Sequence, residues 1–362
     1  MNGLLCGGLG RQLFSQGTPF GLGFQATELL QGCQRVFGHG GLGKALGHAF
    51  QALKRRTPFD AMVGFRHDTA HPAMKDNSMT RHTLFVRLAE ALYRVERPWG
   101  DVPMGAGSPS DVACDADGNV YCQLRQDPYA GTAGPAVVVL SPDGKRIAAW
   151  GEEEVADGHM LSVHPDGRVF VVDRDAQEII IFDRHGKRLG GIGKRHRPGE
   201  PFNAPCDVAF GPDGSIYVAD GYGASVVHRF SADGTPMGHW GRPGSGPGEF
   251  STPHSVWVLP DGRVTVADRE NNRVQVFTSD GEWLADWEDH HKPMSVHGGP
   301  GGTLYVTDQV PRLSLLAQDG TLIGRCRPVL NGAHGMWLSP DGSIFLSEQN
   351  PPRLTRLVPV SG

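Results

Sequence analysis

One pattern recurs six times along the chain and constrains its fold more than any other feature: a short apolar strand, a glycine turn and a second short strand. The glycines of these turns lie about 40 to 50 residues apart, at Gly118, Gly167, Gly214, Gly262, Gly302 and Gly342. A second turn follows in the first five units, for example "SPDGKR" and "TSDGEW". Each unit therefore contains four short strands, which is typical of propeller blades. The sequence predicts an all-β, six-bladed β-propeller.

The ends of the repeat region indicate how the ring closes. The last unit lacks a fourth strand, while "LYRVERPWG" at 92–100 resembles the fourth strand "GHWG" of another unit. We expect it to complete the sixth blade, because closure removes exposed strand edges, and we assign the propeller to 92–362. The preceding segment, 79–91, is predicted to be a short amphipathic helix. Residues 1–78 are rich in glycine and lack periodicity, which predicts a disordered extension or a misassigned start.

Composition restricts the class of function. The net charge of −5 and pI of about 6.3 argue against a nucleic-acid partner, which usually needs a basic surface. No apolar run reaches the roughly 18 residues of a membrane span, and no secretion signal is recognised, so we expect a cytoplasmic monomer without membrane contact. The six cysteines form no C-x-x-C pair, which favours free thiols; a Cys114–Cys122 link across one hairpin is the alternative.

A histidine stands just before the inner strand in alternate units. The residues at this position, from the first unit to the sixth, are Ser110, His159, Cys206, His254, Met294 and His334. Inner strands line the channel of a propeller, so the histidines of blades 2, 4 and 6 should converge with roughly threefold spacing. One such histidine alone would more often bond to loop backbone. Three with an open fourth position are what catalytic zinc uses, so we predict a zinc site on His159, His254 and His334.

A second repeat position follows the second strand of each unit and carries three arginines. The residues are Arg125, Arg174, Gly221, Arg269, Gln309 and Gln349. Arginine binds carboxylate through two parallel hydrogen bonds, so the sequence predicts an anion subsite and a small carboxylate-bearing substrate. Ion pairing with neighbouring acidic residues is the alternative, and we favour it for Arg174. Arg125 has fewer acidic neighbours on its own strand, which favours a role in the site.

The third unit replaces this arginine with glycine, and Tyr222 follows. The positive charges of three arginines and of a dication nearby would favour the phenolate, so we expect a lowered pKa for Tyr222 and a role as general base. The alternative is a tyrosine that only packs over its blade.

The repeats resemble the NHL-repeat family, and the elements "DGY", "PGEFSTPHS" and "VADRENNR" in order resemble peptidyl-α-hydroxyglycine α-amidating lyases. The resemblance covers roughly 105–350. It implies a six-bladed propeller that uses zinc on three histidines to release glyoxylate from a peptidyl-α-hydroxyglycine. It places the zinc ligands on His159, His254 and His334, the catalytic tyrosine on Tyr222, and substrate-binding arginines on Arg125 and Arg269.

Two departures from that family bear on the site. A methionine that lines the family's pocket is replaced by Gly332, so we expect a different substrate pocket. The aspartate that helps to hold a structural calcium in the family is replaced by Gly335, which argues against calcium. A copper-binding hydroxylating domain is not recognised either.

The sequence therefore predicts a zinc-dependent carbon–nitrogen lyase. One alternative is a non-catalytic NHL scaffold, which needs no aligned channel histidines. Another is a lactonase-type propeller hydrolase, whose calcium needs oxygen ligands in the channel. The nitrogen and sulfur groups at the channel position favour zinc over calcium.

Overall fold

The computed structural model describes residues 83–360 apart from 104, 106 and 127–133. These residues form six antiparallel sheets and two short 3₁₀ turns, Arg269–Asn271 and Pro300–Gly302, which confirms the all-β six-bladed propeller. The predicted extension at 1–78 lies outside the described residues. Within them, no helix is long and apolar enough to cross a membrane.

Blades 1 to 5 each contain four strands in chain order. Blade 1 contains β3 (Ser108–Cys114), β4 (Val120–Arg125), β5 (Val137–Leu140) and β6 (Arg146–Trp150). Blade 2 contains β7 (Gly158–Val163), β8 (Val169–Asp173), β9 (Glu178–Phe182) and β10 (Arg188–Ile192). Blade 3 contains β11 (Asp207–Phe210), β12 (Ile216–Asp220), β13 (Val226–Phe230) and β14 (Pro236–Trp240). Blade 4 contains β15 (Pro253–Val258), β16 (Val264–Asp268), β17 (Arg273–Phe277) and β18 (Trp283–Trp287). Blade 5 contains β19 (Pro293–Gly298), β20 (Leu304–Asp308), β21 (Arg312–Leu316) and β22 (Leu322–Cys326).

The sixth blade combines strands from both ends of the described chain. It contains β23 (Gly335–Leu338), β24 (Ile344–Gln349), β25 (Pro352–Pro359), β2 (Ala91–Trp99) and β1 (Leu84–Leu88), in that order from the channel outward. Strand β2 pairs antiparallel with β25, with Val95 opposite Leu357. This pairing confirms the predicted closure of the ring.

The predicted helix at 79–91 is wrong for its described part. Strand β1 turns back through Ala89, at φ 50°, into β2, and Leu84 lies opposite Val95. The helical spacing of apolar residues in 79–91 reflects only a local preference, which does not decide the structure here. The free edge of β25 offers a ladder of backbone hydrogen bonds to β2, and tertiary pairing of this kind overrides weak local preference.

A tryptophan–glycine contact joins successive blades. A tryptophan at the end of an outer strand packs on the glycine of the second turn in the next blade, in the pairs Trp99–Gly144, Trp150–Gly186, Trp240–Gly281 and Trp287–Gly320. These glycines have φ between 83° and 91°, where an L side chain is strained. A Cβ at Gly281 would lie 2.5 Å from the indole of Trp240. The close approach explains why both residue types recur in the repeat.

The described cysteines, Cys114, Cys122, Cys206 and Cys326, are all free. In the ladder of β3 and β4, Cys122 lies opposite Val112 and Cys114 lies opposite Val120. The two thiols are therefore out of register, and the alternative of a hairpin disulfide is wrong.

Candidate metal centre and channel mouth

Three histidines meet in the central channel, as the repeat position predicts. His159 and His254 are fully buried and His334 is 5% exposed. Their ring centroids lie 4.9 to 5.0 Å apart in pairwise edge-to-face contacts. One nitrogen from each ring can be chosen so that all three lie within 4.8 Å of one another. The structure thus brings together one potential metal ligand from each of blades 2, 4 and 6.

β-Bulges help to direct these side chains. The register of β7 against β8 shifts between Gly158 and Leu161, and that of β15 against β16 shifts between Pro253 and Ser255. His159 and His254 lie within these shifts. A bulge bends the strand and re-aims its side chain, which frees the histidine from the regular ladder.

Each histidine is oriented by a carbonyl of the next blade. Nδ1 of His159 bonds to the carbonyl oxygen of Cys206 at 2.8 Å. Equivalent bonds of 2.7 Å join His254 to Met294 and His334 to Ser110. A carbonyl only accepts, so each Nδ1 carries the hydrogen and each Nε2 keeps its lone pair. Blades 1, 3 and 5, which lack the histidine, therefore supply the groups that fix its tautomer, as carbonyls do around metal-binding histidines.

The three imidazoles are held in the neutral form that binds metal. Burial is the main cause of the lowered pKa of each, and it lowers the pKa of His334 to about 4. Nε2 of His254 is buried without a hydrogen-bond partner. Leaving such an acceptor unsatisfied costs about 1 to 3 kcal/mol. Three neutral nitrogen donors around one point fit zinc well.

Tyr222 joins this centre to the arginines. Its hydroxyl lies 3.2 Å from Nε2 of His159 and accepts a 3.0 Å hydrogen bond from Nη1 of Arg269. The guanidinium carbons of Arg174 and Arg269 lie 5.3 and 5.2 Å from the centroid of its ring. Tyr222 therefore does not merely pack over its blade.

Gly221 is needed for this approach. A Cβ at residue 221 would lie 2.1 Å from the carbonyl oxygen of Pro253, so a side chain there would push blade 3 away from blade 4.

The protein groups alone do not lower the pKa of Tyr222, and the lowering expected with a dication nearby stays a prediction. Burial of the hydroxyl end raises the pKa of Tyr222, and the charges of Arg269 and Arg125 oppose this only in part. The residue as a whole is 37% exposed, so burial acts mainly where the hydroxyl contacts His159 and Arg269.

The three arginines are ion-paired and also lie beside the centre. Arg125 donates two hydrogen bonds to Asp157, of 2.8 and 2.9 Å. Arg174 contacts the same carboxylate at 2.6 Å and Asp175 at 2.9 Å. Arg269 pairs with Glu270 at 3.0 Å. Arg174 is thus ion-paired, as favoured, although with Asp157 and Asp175, and Arg125 finds its acidic partner on another blade rather than on its own strand.

Sequence reasoning missed Asp157, which is the shared partner of two arginines. It lies two residues before His159, and its side chain is 10% exposed. It is the only acidic residue at this repeat position; the other blades have Ser108, Ala204, Thr252, Lys292 and Gly332. An acidic residue at this position in one blade only was the available signal in the sequence. Its meaning was hidden because the partner, Arg125, lies on a strand of blade 1 rather than on the same strand.

A layer of polar side chains lies beside the histidines along the inner strands. Asp111 accepts hydrogen bonds from the backbone N–H groups of Leu161, Val112 and Met336. Asp207 accepts from those of Val208 and Val256 and from the hydroxyl of Ser255, which in turn accepts from Val296. Because the inner strands have no neighbour on the channel side, these side chains satisfy N–H groups that would otherwise be unpaired.

This layer does not fit a structural calcium. A Cβ at Gly335 would lie 1.9 Å from Oδ1 of Asp111, so the carboxyl of blade 1 occupies the space beside that glycine. Calcium requires oxygen lone pairs on several sides, whereas the carboxyl of Asp111 already accepts from three N–H donors. The calcium suggested by family resemblance is therefore not supported by these residues.

Comparisons with known proteins agree with this architecture. The sequence profile of the NHL repeat matches residues 250–277. NHL repeat-containing protein 3 of Mus musculus is 31% identical over 265 residues, which cover 67% of this chain and 75% of that protein. The probable peptidyl-alpha-hydroxyglycine alpha-amidating lyase pgal-1 of Caenorhabditis elegans is 27% identical, over 61% of this chain and 69% of that protein.

A longer relative is the peptidylglycine alpha-amidating monooxygenase of Rattus norvegicus, which is 29% identical over 297 residues. The match covers 70% of this chain but only 30% of the length of that protein. Among solved structures, a streptogramin B lyase superposes with a TM-score of 0.55 at 15% identity, over 74% of this chain and 98% of that one. A gluconolactonase of Xanthomonas campestris superposes with a TM-score of 0.58 at 17% identity, over 76% and 91%. At this identity both show the fold alone.

Proposed function

The chain belongs to the NHL-repeat propellers, the family of NHL repeat-containing protein 3, and from this premise we propose that it is a zinc-dependent carbon–nitrogen lyase. Its substrate is a carbinolamide of the α-hydroxyglycine type, R–CO–NH–CH(OH)–COO⁻, and its products are an amide and glyoxylate. The observation that carries the proposal is the contact between Tyr222 and His159, which puts a proton-transfer group against a triad of neutral histidines. Relatives named as amidating lyases support it.

The residues divide the chemical work between them. His159, His254 and His334 hold the metal through Nε2. Bound there, zinc supplies a Lewis acid for the substrate hydroxyl and a positive charge beside the phenol. Arg125 and Arg269 bind the substrate carboxylate. Asp157 keeps the guanidinium of Arg125 in place.

Tyr222 moves the proton. It acts as the phenolate, which the charges of Arg269 and of a bound zinc would favour against the effect of burial, and it accepts the hydroxyl proton while Arg269 stabilises its oxygen from Nη1. The electrons of the O–H bond form the aldehyde of glyoxylate as the C–N bond breaks, and the nitrogen leaves as the amide after it takes up the proton. All atoms come from the substrate, so neither water nor an oxidant is consumed. Proton transfer by a positioned side chain typically contributes 10² to 10⁴ in rate.

The two alternative functions, a non-catalytic scaffold and a lactonase, would each require other side chains in the channel. A non-catalytic scaffold has no need for three buried neutral histidines with fixed tautomers. A calcium-dependent lactonase needs several free oxygen ligands, whereas Asp111 and Asp207 are occupied by N–H and O–H donors.

The test is release of glyoxylate from α-hydroxyhippurate by the purified chain, with and without added zinc. We expect zinc-dependent release and an equal yield of benzamide. No release from protein that carries one zinc per chain would contradict the proposed substrate. No zinc binding and no release would favour the scaffold.

A further inference from the structure

Charge is distributed unevenly around the mouth of the channel. At the repeat position that follows the second strand, blades 1, 2 and 4 carry Arg125, Arg174 and Arg269, whereas blades 5 and 6 carry Gln309 and Gln349. Arg269 lies beside the centre, since it donates a hydrogen bond to the hydroxyl of Tyr222, which lies 3.2 Å from Nε2 of His159. The half of the mouth that carries the arginines thus spans blades 1 to 4, with Tyr222 between two of them and with Asp157, Asp175 and Glu270 as their ion-pair partners.

At the equivalent positions, the opposite half carries uncharged and partly apolar side chains. Val310 occupies the repeat position that is Tyr222 in blade 3, and it is 39% exposed. Leu330, in the loop that leads to His334, is 60% exposed. We call Gln309, Val310, Leu330 and Gln349 the neutral wall. Exposed apolar side chains next to a site provide contact area for an apolar part of a ligand.

Gly332 lies at the contact between the loop that carries Leu330 and the turn that carries Gln309 and Val310. A Cβ at residue 332 would lie 2.7 Å from the carbonyl oxygen of Asp308 and 2.9 Å from Cα of Gln309. The loop that carries Leu330 therefore packs directly on the turn that carries Val310. Because residue 332 has no side chain, the two backbone segments can pack this closely.

We infer that this division fixes the orientation of the substrate: its carboxylate binds at the arginines of blades 1 to 4, and its N-acyl group lies on the neutral wall of blades 5 and 6. The natural acyl group is accordingly uncharged and apolar. This inference rests on the proposed function. A cationic acyl group would meet no acidic side chain among the four residues of the wall. A second carboxylate would compete for the arginines and allow the substrate to bind in reverse.

The experiment compares two substrates that differ in charge: α-hydroxyhippurate and its 4-aminomethyl derivative, which carries an ammonium group on the ring. We expect wild-type kcat/KM to favour the neutral substrate by about tenfold, because the ammonium group would lose water on an uncharged surface without gaining an ion pair. Leu330→Asp adds a carboxylate to the wall and should raise the cationic-to-neutral ratio roughly threefold, as an exposed ion pair can. The control is Met237→Asp on the outer strand β14, where the residue is 55% exposed.

Each outcome decides the question. A ratio that rises with L330D and stays constant with M237D supports the orientation. Equal use of both substrates by the wild type, or equal ratios in the two variants, would overturn it while the lyase activity stands. Glyoxylate release from neither substrate would overturn the proposed function, and this inference with it. Urea unfolding of both variants checks that the exposed substitutions leave the fold intact.

Discussion

The hydroxyl of Tyr222 lies 3.2 Å from Nε2 of His159, so a residue of blade 3 contacts the histidine triad directly. That contact crosses from one blade to the next and depends on Gly221, where a side chain would collide with the carbonyl of Pro253. The arrangement brings the phenol against the three histidines without any long loop, because the blades themselves provide the geometry.

Tyr222→Phe removes the proton acceptor and keeps the ring between the arginines. We expect turnover to fall by about 10² to 10⁴, while zinc content stays at one per chain, because the three histidines are untouched. The measurement is kcat for glyoxylate release together with metal analysis of the same sample. Near-native turnover in the variant would exclude Tyr222 as the base.

Asp157→Asn weakens the support of two arginines. Arg125 loses a paired acceptor and Arg174 loses a charged partner, so both guanidinium groups become less fixed. We expect KM for the substrate to rise by about tenfold, since charge-assisted pairs orient strongly, with a smaller effect on kcat. Steady-state kinetics check this expectation. A lower kcat at unchanged KM would instead place Asp157 in the chemical step.

Added calcium should not stabilise the propeller. A ligand that binds only the folded state raises the unfolding temperature by mass action. Because the carboxyl of Asp111 occupies the space beside Gly335 and already accepts three N–H groups, we expect no rise in Tm when millimolar calcium is added to metal-free protein. A clear rise would show a calcium site that these residues do not indicate.

Asp111→Asn tests the same layer by mutation. An amide NH₂ would face backbone N–H donors in place of an acceptor, so we expect a loss of roughly 2 to 4 kcal/mol in the free energy of unfolding. Denaturant unfolding of wild type and variant measures it. An unchanged free energy would show that the layer contributes little to joining blades 6, 1 and 2.

Gly281→Ala and Gly262→Ala separate backbone strain from contact with tryptophan. Both glycines have positive φ, 91° and 87°, so both variants carry similar strain. A Cβ at Gly281 would lie 2.5 Å from Trp240, whereas a Cβ at Gly262 would meet open space. We expect G281A to lose about 1 to 3 kcal/mol more than G262A. Equal losses in urea unfolding would show that the tryptophan contact adjusts at no cost.

His290 predicts a pH dependence of stability away from the metal centre. It is buried, neither ring nitrogen has a hydrogen-bond partner, and burial lowers its pKa to about 4. The unfolded chain, with a pKa near 6.5, binds a proton that the folded chain does not, so this residue makes stability rise with pH between about 4 and 6.5. At pH 5 its effect amounts to about 2 kcal/mol against folding.

His290→Leu should therefore shrink the stability difference between pH 5 and pH 7.5 by about that amount. His239→Leu, at an exposed position, serves as the control. Unfolding curves at the two pH values measure the effect. An unchanged pH dependence in H290L would contradict the buried neutral state.

Features that repeat along the chain, such as the blades and the aligned histidines, could be predicted from the sequence. Features that depend on contacts between blades could not. Alignment of the six units placed His159, His254 and His334 at one position, and a closed ring brings equivalent positions together. The strand at 84–88 was missed because it forms on the outer edge of β2, and β2 is itself held in place by β25 at the far end of the chain. The Asp157–Arg125 pair joins two blades and has no signal along either strand. The raised pKa of Tyr222 depends on burial, which the motif around "DGY" does not reveal.

The most direct test of the zinc-lyase assignment is a stepwise titration of metal-free protein with zinc, with bound metal and glyoxylate release from α-hydroxyhippurate measured on the same samples. We predict that activity rises in proportion to bound zinc, reaches its maximum at one equivalent per chain, and that His254→Ala abolishes both binding and release. Full occupancy of one zinc without glyoxylate release, or release that persists in metal-free protein, would contradict the account.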